Sequence, residues 1–284
     1  MMSDDVEVPS EPPKSNSSLG LRVASAVVLA PIVLGLVWAG GWPFVVLLAV
    51  AGPLMAREWA GLVAPDGTAS VDALVISLSL LGLLGLGALG ASDAGFAFAL
   101  ACVGWGICVA LWRETSIMRL LLGAAYVGFP VIAFAWLRSD LEYGLVALVW
   151  LLALVWSTDI FAYFAGKTIG GPKMAPSWSP NKTWAGLGGG VAGAILAGAL
   201  VATWLGTMIW PLALISGLLA LLSQGGDVIE SALKRRAGVK DSGALIPGHG
   251  GILDRVDGLM FAAVGAALIA FINGNGVSGV LVWP

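Results

Sequence analysis

The sequence predicts an all-α fold, a polytopic integral membrane protein of about nine transmembrane helices. Three observations carry that expectation: composition, the length of the apolar runs, and the placement of the basic residues. Of 284 residues, 58% are hydrophobic and only 11% are charged, and the mean hydropathy is +0.94. Soluble domains carry about 25% charged residues, so the main solvent of this chain must be a bilayer.

Taken in order, residues 1–20 mix acids, prolines and serines with few large apolar groups and read as a disordered cytoplasmic tail. That tail is acidic and leads into a full-length apolar run, unlike the basic start and short core of a cleaved signal. Crossing the hydrocarbon takes about 20 helical residues. Runs of that kind fall near 22–40, 41–57, 72–92, 95–112, 119–137, 143–166, 185–205, 208–229 and 256–273. Only Gly40, Gly41 and Pro43 divide the first two. Residues 21–138 therefore form an N-terminal region of about five spans. Residues 139–284 form a second region of about four spans with two cytoplasmic loops, and the candidate chemistry concentrates there.

The basic residues test this count, because Lys and Arg near span ends collect on the cytoplasmic side. With the N-terminus cytoplasmic, the inside segments hold Lys14, Arg22, Arg57, Arg113, Arg119, Lys167, Lys173, Lys182, Lys234, Arg235, Arg236, Lys240 and Arg255, leaving only Arg138 outside. Adding or losing one middle span would destroy this thirteen-to-one split, so the span number is odd and the C-terminus lies outside. Trp38, Trp42, Trp59, Trp112, Trp136, Trp204 and Trp210 sit near span ends as interface anchors. Gly186 with Gly190 and Gly189 with Gly193 have the spacing that lets helix backbones approach closely.

Several classes are excluded. A net charge of −3 and a pI near 5.1 leave no cationic surplus for a polyanion, so nucleic acid is no partner. Cys102 and Cys108 lie six residues apart in one apolar run, on different helical faces, and with a single histidine they form no structural zinc site.

Ionisable groups in or beside spans are costly to keep and are functional candidates for that reason. On the eighth span Asp227, Glu230, Ser231 and Lys234 are spaced i, i+3, i+4, i+7 and share a face near the cytoplasmic end. A solvated helix end with a Glu230–Lys234 pair is the plain alternative. Lys240-Asp241 and then Pro247-Gly248-His249-Gly250-Gly251 lead into Asp254-Arg255-Val256-Asp257 at the start of the ninth span. Glycines let amides approach an anion, a helix N-terminus adds partial positive charge, and Lys240 and Arg255 add full ones, so this stretch suits phosphate. Asp254 and Asp257 lie three apart on one face and, with Asp227, suit Mg²⁺, although as helix caps they would also be ordinary. The other loop follows Asp159, Tyr163 and Lys167, which share a face of the sixth span. It contains Gly170-Gly171-Pro172-Lys173 and Ser179-Pro180-Asn181-Lys182-Thr183, hydroxyls and lysines suited to gripping phosphate. Lys167 and Lys173 would equally serve as positive-inside anchors.

The spaced set Ser231-x2-Lys234-Arg235-x4-Lys240-Asp241-x7-His249-Gly250-Gly251-x2-Asp254-Arg255-x-Asp257 resembles the signature of the phosphatidate cytidylyltransferase (CDP-diacylglycerol synthase) family. Asp159 to Gly171, Ser179-Pro180-x-Lys182-Thr183 and the opening Arg22-x2-Ser25-Ala26 are also similar to that family. The chain departs from its pattern at Ala185, where Glu or Gln is expected before Gly186. The resemblance implies that CTP and phosphatidic acid give CDP-diacylglycerol and pyrophosphate. Asp227, Asp254, Lys234 and Lys240 are then the catalytic set, and Asp227, Asp254 and Asp257 hold Mg²⁺, with a second cation left open. Asp159, Lys167, Lys173, Ser179, Asn181, Lys182, Thr183, Ser231, Arg235, Asp241, His249, Gly250, Gly251 and Arg255 are the substrate-binding candidates, His249 as a loop hydrogen-bonder rather than a base. Besides CTP and phosphatidic acid the expected partners are membrane lipids, with a homodimer left open. The expected location is the bacterial inner (plasma) membrane with the active site on the cytoplasmic side.

A CTP-dependent lipid-alcohol kinase would share nucleotide and membrane but transfer the γ-phosphate. An ion-coupled transporter using Asp159, Asp227 and Asp254 as a relay would spread charge through the membrane depth, whereas here it crowds one face.

The charge split makes a topological prediction. Single cysteines replacing Lys173, Asp241 or Ser278, in protein lacking Cys102 and Cys108, should react with an impermeant reagent from the cytoplasm, the cytoplasm and the outside, respectively. A cytoplasmic position 278 would overturn the odd span count.

Overall fold

The computed structural model describes residues 17–64, 67, 69–112 and 116–283. Residues 1–16 of the expected tail lie outside the described residues, as do Lys14, Arg113 and the side chains of Arg22 and Ala26; Ser17–Gly20 already belong to the first helix.

Helices follow the apolar runs closely. They are α1 (Ser17–Ala39), α2 (Gly41–Val63), α3 (Ser70–Ala88), α4 (Ser92–Trp112), α5 (Ile117–Gly123), α6 (Phe129–Ser139), α7 (Gly144–Thr168), α8 (Trp184–Leu205), α9 (Ile209–Arg236), α10 (Leu253–Ile272) and a short α11 (Ser278–Leu281). One π turn, Ala124–Gly128, joins α5 to α6 without breaking the rod, so the fifth span runs from Ile117 to Ser139. Seven helices of the described chain are long and apolar enough to cross a membrane, and α1 and α4 contribute shorter apolar stretches, Val23–Ala39 and Phe98–Trp112. The fold is an all-α membrane bundle, as composition predicts. Gly40 and Gly41, both at positive φ, turn the chain between α1 and α2.

One element departs from the all-helical expectation. The loop after α7 folds into a two-stranded antiparallel hairpin, β1 (Lys173–Ala175) and β2 (Ser179–Thr183), with Lys173 opposite Thr183.

Two further differences have local causes. Trp59 is not an interface anchor: it is buried on α2 and stacked on Tyr126 at 5.0 Å, because it lies on the inner face of that helix. Trp38, Trp112, Trp204 and Trp210 do point outward. Arg138, the exception to the charge rule, is spent on capping: its Nε donates to Val37 O at 2.8 Å and its guanidinium NH2 to Trp38 O at 3.0 Å, closing the last turn of α1.

The second half of the bundle is packed through small residues. A β-carbon on Gly186 would lie 3.0 Å from the Ala162 carbonyl, one on Gly189 3.0 Å from the Phe161 carbonyl, and one on Gly190 2.9 Å from the Thr158 carbonyl. The predicted glycine ridge of α8 therefore lies directly on α7, and large side chains such as Leu196, Leu200 and Trp204 face outward, where lipid replaces water. Trp150 is the largest fully buried side chain of α7, and its indole N–H donates to Ser216 Oγ on α9 at 2.9 Å. At the bottom of the bundle Thr207, between α8 and α9, bonds both the N–H and the carbonyl of Trp283. The C-terminal residues are thus fixed at the end opposite the hairpin.

The contact predicts a contrast between two glycines of one helix. Gly190→Ala should destabilise the protein by about 1–3 kcal/mol through overpacking. Gly188→Ala, with nothing within 4 Å, should be neutral or stabilising by up to about 1 kcal/mol. Thermal unfolding in detergent reads both, and equal shifts would contradict the close α7–α8 approach.

Candidate active site

The charged groups collect where α7 and α9 end and α8 and α10 begin. Thr183 closes β2 and caps α8, accepting from Gly186 N at 3.0 Å, which fixes the lysine hairpin to the glycine ridge. From that hairpin Lys182 Nζ reaches Asp227 Oδ2 at 2.6 Å and the Gln224 carbonyl at 3.3 Å. Gln224 in turn donates from Nε2 to Asp159 Oδ1 at 3.2 Å. On α7, Lys167 Nζ lies 3.5 Å from the Tyr163 hydroxyl. The predicted Asp159–Tyr163–Lys167 face thus borders one cavity of about 380 Å³, together with Asn181, Lys182, Thr183 and Asp227.

A second cavity, about 100 Å³, lies behind it and shares Asp159, Gln224 and Asp227 as a common wall. Its remaining lining includes Asp257 and Arg255 from α10 and the apolar Val155, Trp156 and Leu259. Ser231 Oγ donates to Asp227 Oδ1 at 3.4 Å from one turn further along α9.

Lys234 stands between two acids. Its Nζ lies 2.6 Å from Asp254 Oδ1 and 3.0 Å from Glu230 Oε2. The sequence allowed Glu230 and Lys234 as a solvated pair, but Glu230 is fully buried and its Oε1 has no hydrogen-bond partner among the described residues. This is a desolvated charge cluster, and such a cluster holds only while its members stay paired.

Asp254 is fully engaged inside the protein. Beyond Lys234 on Oδ1, its Oδ2 accepts from Ser242 N at 2.8 Å, Ser242 Oγ at 3.0 Å and Gly251 N at 2.8 Å. Gly250, at φ +83°, turns the chain so that a β-carbon there would meet Asp254 Oδ2 at 2.6 Å. The next two amides, Ile252 and Leu253, donate to Glu58 of α2. The amides of Gly251, Ile252 and Leu253 are therefore taken by the protein's own carboxylates.

Other predicted residues lie apart from both cavities. Lys240 and Asp241 are exposed in the loop before α10, and Lys173 is exposed on β1. Arg235 reaches the Val239 carbonyl at 3.5 Å across the end of α9. Ser179 starts β2 opposite Ala175. His249 does act as a loop hydrogen-bonder: its Nδ1 lies 2.7 Å from Ser25 Oγ, and its carbonyl accepts from Arg255 Nε at 2.9 Å. Sequence reasoning missed Gln224, Ser242 and Glu58. Gln224 was within reach, three residues before Asp227 on the same helical face; the other two carry no local signal.

The expected metal trio does not assemble, since no three acidic, histidine or cysteine side chains among the described residues are grouped to hold a metal ion. Asp254 is bonded to Lys234, Ser242 and Gly251. Asp227 and Asp257 remain, facing one cavity from two helices, and Mg²⁺ binds through one or two carboxylates with water and substrate phosphates completing its shell. Two acids fit that requirement.

Lysines and acids held at one end of a membrane bundle, around a cavity of about 380 Å³, are the arrangement expected of a membrane-embedded functional site. The chain belongs to the cytidylyltransferase family, whose pattern matches residues 20–272, and it is a nucleotidyltransferase. It is similar to the phosphatidate cytidylyltransferase of Brucella abortus biovar 1 (strain 9-941), with 42% identity over 87% of this chain and 91% of the relative. The phosphatidate cytidylyltransferase of Synechocystis sp. (strain ATCC 27184 / PCC 6803 / Kazusa) is 34% identical over 85% of this chain and 93% of its own length. That of Bacillus subtilis (strain 168) is 43% identical over 50% of this chain and 54% of its own.

The engagement of Asp254 separates it from Asp227 in stability. Asp254→Asn breaks a buried pair and should cost about 3 kcal/mol of stability. Asp227→Asn, whose side chain is 32% exposed, should cost less than about 1 kcal/mol. Denaturation of the two variants in detergent reads the difference, and equal losses would show that Lys234 does not depend on Asp254.

Proposed function

We propose that this chain is a phosphatidate cytidylyltransferase, joining CTP and phosphatidic acid to give CDP-diacylglycerol and pyrophosphate. The observation that carries the reading is the pair of cavities divided by Asp159, Gln224 and Asp227. The larger, with Lys167, Asn181, Lys182 and Thr183, suits the nucleotide triphosphate. The smaller sets Arg255 beside Trp156 and Leu259, a cation next to apolar surface, which suits a lipid phosphate.

A phosphate monoester has a second pKa near 6, so phosphatidate at neutral pH is largely dianionic and attacks without a general base. Its oxygen forms a bond to the α-phosphorus of CTP. The bond from that phosphorus to the α–β bridging oxygen breaks, and pyrophosphate leaves with the electron pair. The protein's part is positioning and charge neutralisation. Arg255 orients the lipid phosphate, while Lys167 and Lys182 hold the nucleotide phosphates. Lys182 pairs with Asp227 until a triphosphate competes for its ammonium, so neither charge is left bare. Asp227 and Asp257 would hold Mg²⁺, which would supply further charge neutralisation to the nucleotide phosphates. The site would face the cytoplasm, the side on which the basic residues collect, from an inner membrane such as that of the bacterial relatives.

The reaction is tested with purified protein, phosphatidic acid, CTP labelled at the α-phosphate, and Mg²⁺. Label should enter lipid only with phosphatidic acid and metal both present, with one pyrophosphate released per lipid. Transfer of γ-label instead would establish the kinase. Asp227→Asn and Asp257→Asn should each lower turnover at least about 100-fold, roughly 2.7 kcal/mol of barrier. A wild-type rate in both would remove the metal assignment even if the product were correct.

A further inference from the structure

Glu58 lies on α2, in the N-terminal half of the chain, and is almost fully buried. Its Oε1 accepts from Ile252 N at 2.8 Å; its Oε2 accepts from Leu253 N at 2.9 Å and from Ser242 Oγ at 3.1 Å. The first amides of a helix have no partner within it, and Ile252, at the cap position of α10, has no side chain that could serve them. The missing cap comes from a residue 194 positions away. A carboxylate is also the charge that a helix N-terminus favours.

Its surroundings are shaped to admit it. A β-carbon on Gly251 would run into the Glu58 carboxylate and Ser242 Oγ, and one on Gly243 would lie 3.0 Å from Glu58 Oε1. Gly251 of the His-Gly-Gly stretch is thus required by a protein side chain. Ser242 Oγ bridges Glu58 to Asp254, so the cap and the Lys234 cluster share one hydroxyl. A second brace runs from the next residue of α2: Trp59 stacks on Tyr126, whose ring meets Phe261 of α10 edge-on at 6.0 Å.

We propose that Glu58 is a positioning residue for the reacting end, an N-terminal cap supplied across the bundle that sets the first turn of α10 and thereby aims Asp257 and Arg255 into the cavity shared with Asp227. The proposal rests on the reading that places the reacting phosphates at that cavity. Glu58 touches neither substrate in this account. It acts through the backbone of Ile252 and Leu253, and both of its oxygens must accept, so an amide in its place would set N–H against N–H.

The experiment uses full-length protein in detergent. In Glu58→Gln, hydrogen exchange measured without metal should accelerate about tenfold in peptides covering residues 250–258, while the 173–187 hairpin stays as in wild type. In steady state kcat should fall about tenfold or more, with KM for CTP within about threefold, because the nucleotide grip is on the other side of the wall. If Glu58→Gln does not fold, Ser242→Ala removes the bridging hydroxyl alone and should accelerate the same peptides about threefold. Unchanged exchange at 250–258, or acceleration spread evenly over the bundle, overturns the proposal, as does a KM rise without a fall in kcat. A local acceleration in protein that transfers no α-label even as wild type would leave the cap standing and remove the reaction instead.

Discussion

The charged end of the bundle hangs on the Lys234 ammonium. It is held by Glu230 one turn back on its own helix and by Asp254 of α10. Little water reaches this cluster, and an unpaired charge there would cost several kcal/mol. The pairing therefore dictates where α10 begins relative to the end of α9. Asp254 extends the constraint to the connecting loop, because its second oxygen collects Ser242 and Gly251. Helix ends, loop and acid cluster form one bonded unit, and the Asp227–Asp257 cavity is the space that unit leaves open.

The rest of the bundle delivers the opposite charge to that space. Lipid gives helices little hydrophobic reason to associate, so α7 and α8 approach through glycine, close enough for backbone contact. That approach sets the lysine hairpin, capped onto α8 by Thr183, against the Asp159 face of α7. Lys182 crosses from the hairpin to Asp227 and closes the circuit between the two halves of the site. The outward face could stay large and apolar, and it does, from Leu196 to Trp210.

Legibility in the sequence followed the range of the interactions. The spans were legible because a bilayer requires a continuous apolar run, and the polar stripe Asp227–Lys234 because helical period is local. The hairpin was not, since strands of three and five residues containing Pro180 carry no alternation to read. The burial of Glu230 was hidden for a different reason: spacing gives a face, and what covers that face comes from other elements. The internal bonds of Asp254 were not legible either, because Ser242 and Lys234 reach it from outside its own helix. Glu58 and Trp59 sit at the end of an ordinary apolar helix, and their partners lie far along the chain.

The glycine-rich stretch before α10 shows how a place for negative charge can be filled from within the protein. Its glycines and the helix N-terminus do create a place for negative charge, as sequence implies. Three successive amides, Gly251, Ile252 and Leu253, point at carboxylates from Asp254 and Glu58. With those donors taken, the partial positive charge at the start of α10 is met by the protein's own side chains. The basic side chains that line the cavities are Lys167 and Lys182 in the larger and Arg255 in the smaller. The glycine loop thus fixes the direction of α10, while the lysine hairpin, residues 173–183, carries no carboxylate of its own.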